Sequence, residues 1–145
     1  MICMEPERDD DLDARQVAVQ TPDGDSEWTF VPSRVGRDWI LRLESPTQAW
    51  SGTGPDCFKA LRDLRNDLDA AGIRVGLNGA RPNTWSSGMQ CDMGEGRVTY
   101  LLRLGVKGRP ETVRTLGAAP LDAVGSIAEQ DAFYARWLSE RPTTP

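Results

Sequence analysis

One change of hydrophobic period does most to fix the architecture of this chain. Over residues 57–71 the apolar side chains Phe58, Leu61, Leu64, Leu68 and Ala71 recur at three- and four-residue steps, the spacing of one helical stripe. Lys59, Arg62, Asp63, Asn66, Asp67 and Asp69 cover the rest of that helix. Asp56 stands where an N-cap belongs and Gly72 where a left-handed residue ends a helix. Lys59 with Asp63 and Arg65 with Asp69 are spaced as i,i+4 ion pairs. On both sides of this helix the period is two, so a single helix is set among strands.

Before the helix, residues 15–20 alternate polar groups with Val17 and Val19, and the turn cluster Thr21-Pro22-Asp23-Gly24-Asp25 ends the run. Residues 27–31 follow as a second strand, which Pro32 is expected to stop. Residues 39–43 place Trp39, Leu41 and Leu43 on one face, and residues 48–50 extend an edge strand before Ser51-Gly52-Thr53-Gly54-Pro55. After the helix, Ile73, Val75 and Leu77 alternate again. Residues 97–104 form the strongest strand, with Val98, Tyr100, Leu102 and Leu104 expected inward and Thr99, Leu101 and Arg103 outward. Residues 105–120 are expected as a polar linker with a short turn near Val113 and Leu116. Ser126 and Glu129 have capping-box spacing and open a helix expected to run to Arg141, with Phe133, Tyr134, Trp137 and Leu138 as its apolar face before Pro142. The expectation is an α+β fold: an antiparallel or mixed β-sheet with one long central helix and a C-terminal helix packed on one face.

With 145 residues the chain is sized for one domain, expected over residues 15–141, with a short tail at 142–145. Its net charge of −5 is unevenly placed. Residues 1–25 hold Glu5, Glu7, Asp9, Asp10, Asp11, Asp13, Asp23 and Asp25 against Arg8 and Arg15, a balance of −6 that leaves +1 for everything after them. Residues 1–14 are therefore expected to be an acidic, flexible arm. Nucleic acid is disfavoured as a partner, since its binders carry a basic face. All basic residues but Lys59 and Lys107 are arginine, a bias suggestive of a high-GC bacterial genome.

The absence of histidine removes imidazole bases, triads and imidazole metal sites. Cys3, Cys57 and Cys91 are widely spaced and odd in number, which fits reduced thiols rather than a disulfide framework or zinc site. The start lacks a basic n-region with an apolar run, and no stretch has the length of a membrane span, so a cytoplasmic protein without a cofactor or metal is expected.

The most unusual stretch is residues 78–96, expected as a long irregular loop. It carries Arg81, Asn83, Trp85, Met89, Asp92 and Met93, and with Trp50 these are the expected binding residues. Tryptophan gives large contact area and methionine an adaptable surface. Against this stands a loop folded onto the sheet, its Trp85 and methionines capping the core. Other candidates have stronger structural readings. The Ser51-Gly52-Thr53-Gly54 turn has the strand, glycine, helix order of an anion site, but Pro55 removes an amide and Asp56 places a carboxylate where phosphate would sit. Cys57 lies in the first helical turn but shares the buried stripe. Asp92 and Glu95 have the spacing of common turn formers as well as of weak cation ligands. Arg42, Arg74 and Arg103 are expected as a solvated stripe on the open sheet face.

No catalytic constellation is apparent. The expected function is protein binding, as an immunity or antitoxin-type inhibitor or an accessory subunit, with a basic toxin or enzyme as partner. The alternative is a small enzyme or ligand-binding domain whose site is formed by residues 78–96 over the sheet.

Overall fold

The computed structural model describes residues 9–106 and 108–140. Four strands come first: β1 (Arg15–Thr21), β2 (Gly24–Val35), β3 (Asp38–Glu44) and β4 (Ala49–Gly54). Helix α1 (Cys57–Ala70) and the short β5 (Arg74–Val75) follow. Next are β6 (Thr84–Trp85), α2 (Gly88–Gly94), β7 (Val98–Leu101), β8 (Glu111–Arg114) and α3 (Ile127–Ser139). Strands β4-β3-β2-β1-β5 form one sheet and β6-β7-β8 a second, with antiparallel pairing throughout the described residues. The architecture is α+β, with a long central helix and a C-terminal helix packed against it. Its β-structure is divided between two sheets.

Alternation decides which face of the larger sheet α1 covers. Val17 and Val19 of β1, Phe30 of β2, and Trp39, Leu41 and Leu43 of β3 meet Ala60, Leu61, Leu64 and Leu68 of α1 in one buried cluster. Removing that apolar area from water is the main stabilising term. The helix is capped as expected: the Asp56 side chain accepts from the Lys59 amide, and Gly72 follows Ala71 with φ of +73°.

Several local expectations are corrected. Pro32 lies inside β2 opposite Leu41, because β1 begins opposite Phe30. At Pro32 the strand has β3 alone beside it, and a missing amide there interrupts no second ladder. Ser51-Gly52-Thr53-Gly54, expected as an ordinary turn leading into the helix rather than an anion site, belongs to strand β4. A Cβ on Gly52 would stand 2.6 Å from the Ala60 carbonyl oxygen, and one on Gly54 2.7 Å from the Ala60 amide nitrogen. The glycines therefore let α1 lie directly on the strand.

The i,i+4 pairs of α1 are not the ones formed. Asp63 accepts from the Thr53 amide at 2.9 Å, Lys59 reaches Asp56 at 3.3 Å, Asp69 pairs with Arg74 at 3.1 Å, and Arg65 is buried. The strand expected over residues 97–104 is shorter, and its first positions are reversed, with Thr99 buried and Val98 exposed, while Leu102 just beyond it is buried as expected. A period of two fixes that the faces differ, and packing selects which is inside. Residues 105–120 contain β8, and residues 78–96 contain a 3-10 turn, β6 and α2. Arg42 and Arg74 belong to the larger sheet and Arg103 follows β7 of the other, so the three form no common stripe; they pair with Glu44, Asp69 and Glu111.

Of the expected arm, residues 1–8 lie outside the described residues, as do Arg141 and residues 142–145. Residues 10–12 form a 3-10 turn, with Leu12 packed against the core and Asp11 buried. Among the described residues no helix is long and apolar enough to cross a membrane.

Candidate binding surface

Helix α2 is built from its ends. Ser87 accepts from the Gln90 amide at 3.1 Å while the Gln90 side chain accepts from the Ser87 amide at 2.8 Å, a complete capping box. At the other end Glu95 turns left-handed, with φ of 56°, and its carbonyl accepts from the Cys57 amide at 2.7 Å. Its carboxylate pairs with Arg34 and, at 3.0 Å, with Arg97. No residue of α2 is buried. The helix is held by its termini, and Met89 and Met93, one turn apart, are 72% and 81% exposed. Asp92 is exposed on the same helix.

The other expected contact residues have structural partners. Arg81 donates from Nε to Asn78 at 3.0 Å, and the Asn83 carbonyl accepts from the Leu102 amide at 2.7 Å. Trp85 is half-buried, stacked on Tyr134 with centroids 4.0 Å apart and 9° between planes, edge-on to Phe58, and under the Arg62 guanidinium. Trp50 stacks on Trp28 at 5.0 Å beside the main core, on the other sheet. The structure thus groups Met89, Asp92 and Met93 on α2 and gives Trp85 and Trp50 packing roles.

Two arrangements escape the sequence patterns. Beneath Trp85, the fully buried Gln130 joins α1 to α3. Its Oε1 accepts from Arg65 at 2.8 Å and Arg62 at 2.9 Å, while its Nε2 donates to the Gly79 carbonyl at 2.9 Å and the Thr84 carbonyl at 3.1 Å. Arg65 also donates to the carbonyls of Gly79 and Gly125. Burial lowers its pKa to about 10, so it remains a cation at neutral pH.

The second arrangement gathers guanidinium groups around Trp39. Arg34 and Arg97 lie over its ring, 5.2 and 4.8 Å from the centroid. Arg97 meets Asp9 at 2.8 Å and Asp11 at 3.3 Å, and Arg114 meets Asp11 at 2.7 Å. Burial acts to raise the Asp9 carboxyl, but the bonds and charge of Arg97 outweigh it and hold that group below its ordinary value.

Among the described residues, the two thiols offer no activated nucleophile. Burial, with Asp11 near by, pushes the Cys57 thiol far up, and burial also raises Cys91. Among the described residues no cluster of three or more metal-ligating side chains forms. A cleft of about 80 Å³ opens between β7, β8 and α3, lined by Leu101, Arg103, Val106, Arg109 and Trp137 among others, with no contribution from residues 78–96. The chain matches no family model and no curated protein sequence, so its geometry carries the functional argument.

Proposed function

We propose that this α+β domain is a protein-binding module whose contact element is α2, acting as an inhibitor of the immunity or antitoxin type or as an accessory subunit. The observation that carries the reading is a helix with no buried residue, fixed at both ends, that holds Met89 and Met93 out in water. Exposed methionine is an adaptable apolar contact, and a rigid support lowers the ordering cost of association. Asp92 beside the pair and the net charge of −5 favour a basic toxin or enzyme as the partner. A cytoplasmic setting belongs to the same proposal. The alternative of a catalytic or ligand site over the sheet finds less support. The cleft between β7, β8 and α3 takes no lining residue from 78–96, although Leu101 at its wall pairs with Thr84, and it is small beside the roughly 300 Å³ or more of a typical ligand pocket.

The test is a Met89→Glu/Met93→Glu variant used beside the wild type to capture partners from the producing cells. Both side chains are exposed, so the melting temperature is expected to be unchanged. A partner held by the wild type is expected to bind the variant at least about tenfold more weakly, a loss of hot-spot size. Equal affinity for both forms refutes α2 as the contact element.

A further inference from the structure

We infer that the Arg97 and Arg114 guanidinium groups, beside Trp39, form a docking site for an acidic peptide segment with two carboxylates one residue apart, and that Asp9-Asp10-Asp11 of this chain is its resident, displaceable occupant. The inference concerns a different surface from α2 and stands or falls separately from it.

The site is built for anions. Arg97 donates to both Asp9 oxygens, at 2.8 and 2.9 Å, and to Asp11 at 3.3 Å, while Arg114 takes the other Asp11 oxygen at 2.7 Å. Arg97 is held in place from the opposite side by Glu95 at 3.0 Å and from below by the Trp39 ring. A planar cation fixed by a carboxylate and an indole is preorganised for a further carboxylate, since little rotamer freedom is lost on pairing. Two more cations border the site: Arg34, which pairs with Glu95, and Arg15, whose guanidinium lies over Phe30. Burial and the nearby positive charge of Arg114 lower the Arg15 pKa, which marks the crowding of like charges. With Asp9 and Asp11 withdrawn, Arg114 would lose the Asp11 carboxylate and Arg97 would keep Glu95, which it shares with Arg34, so the patch would become more positive on a body that is otherwise almost neutral.

The occupant is attached in an exchangeable way. Its backbone amide bonds, from Leu12 to the Asp9 carbonyl and from Asp13 to the Asp10 carbonyl, close within the segment, and the neighbouring Arg15 guanidinium donates to the Asp10 and Asp13 carbonyls at 3.4 and 2.9 Å. Its long-range ties are carboxylate to guanidinium, together with the half-buried Leu12 on the core. Strand ladders are not reproduced by an arbitrary partner, but carboxylates at matched spacing are. The recognised chemistry is therefore the pattern that the chain itself presents: an acidic residue, any residue, an acidic residue. An external segment of that kind competes for the same two arginines, and the apparent affinity is set by how often the resident segment is away.

The experiment uses the full chain and a fluorescein-labelled peptide bearing Asp-Ala-Asp, with an Asn-Ala-Asn peptide as control, read by anisotropy at low and high salt. Asp9→Asn/Asp11→Asn weakens the resident segment, and the acidic peptide is expected to bind this variant about tenfold or more tightly than wild type, with loss at high salt. Adding Arg114→Gln, at a half-exposed position, is expected to remove the gain. In the wild type, saturating acidic peptide is expected to speed hydrogen exchange of the Leu12 and Asp13 amides, a readout that needs no variant. Equal peptide affinity for both forms, or binding without faster exchange, overturns the inference. So does failure of the double Asn variant to fold, since the segment is then an integral part of the core. Tighter binding of a single-stranded oligonucleotide than of the peptide overturns the assignment to acidic polypeptide.

Discussion

Gln130→Leu tests whether the buried link between α1 and α3 is as strongly coupled as its geometry requires. Leucine has a volume close to that of glutamine, so the substitution removes hydrogen bonds without opening a large cavity. Gln130 is fully buried, and its Oε1 is shared by Arg62 and Arg65. Its loss removes one acceptor from a buried cation and leaves the Thr84 carbonyl without its Nε2 donor. A hydrogen bond to a charged group contributes about 1.5–3 kcal/mol, and a stranded polar group adds to the loss, so Gln130→Leu is expected to cost about 3 kcal/mol. Arg65→Met removes the cation itself and leaves Oε1 with Arg62, an expected cost of about 2 kcal/mol. With both changed, neither buried partner remains to be stranded, and the pair is expected to cost about 3 kcal/mol, which is about 2 kcal/mol less than the sum. Urea unfolding followed by tryptophan fluorescence measures all three. With a slope of about 2 kcal/mol per molar, Gln130→Leu is expected to lower the midpoint by about 1.5 M. Single costs that add to within about 0.5 kcal/mol would mean that the two side chains act independently, and the reasoning would be refuted.

Gly52→Ala is expected to destabilise by about 1–3 kcal/mol, because the new methyl group meets the α1 backbone at Leu64 and Ala60; a melting temperature within about a degree of wild type would contradict this. Asp9 has a folded-state pKa below its ordinary 3.8, so it contributes stability that is present above that value and lost as pH falls through the folded one. Hydrogen exchange of the Leu12 amide is accordingly expected to rise above its intrinsic trend below about pH 4, and an Asp9→Asn variant to lack that step; identical profiles would refute the coupling. Cys57, buried and with its thiol pushed up, is expected to resist alkylation in the folded chain under conditions that modify half-buried Cys91. Mass mapping that finds equal modification before unfolding would overturn that order.

The central helix was legible because its signals are local: the stripe through Phe58, Leu61, Leu64 and Leu68, the Asp56 cap, and Gly72 at the end. The hairpin strands were legible for the same reason. Pro32 sits inside β2 where the pattern places a strand end, because the proline rule depends on whether a second neighbouring strand is present, and the late start of β1 is a matter of register. Gly52 and Gly54 resembled a turn because their reason for being glycine is the backbone of α1 lying across them. Helix α2 had a signal in Ser87 and Gln90, which have capping-box spacing, but its seven residues and exposed faces leave no stripe to find. The candidate surface was partly legible. Met89, Asp92 and Met93 fall together on α2, whereas Trp85 is taken by Tyr134, Phe58 and Arg62, and Trp50 by Trp28. Arg65 could not be recognised as buried, since its acceptors are backbone carbonyls and an amide from distant segments.

The uneven charge of the sequence takes on a different meaning once its partners are named. A flexible acidic arm would project its field into solvent and speed the capture of a basic partner. Asp9 and Asp11 are instead paired with Arg97 and Arg114, so their field at a distance is largely cancelled by the cations they touch. The net charge of −5 is unchanged by this pairing, and the pairing itself is a local arrangement in which Glu95 is the common member. It caps α2, pairs with Arg34, and shares Arg97 with Asp9 and Asp11. Any event that draws the acidic segment from Arg97 alters the charge beside the residue that fixes the end of α2. The two surfaces, the methionine pair and the arginine site, thus meet at one side chain, and a partner that engages both would find their energies coupled rather than additive.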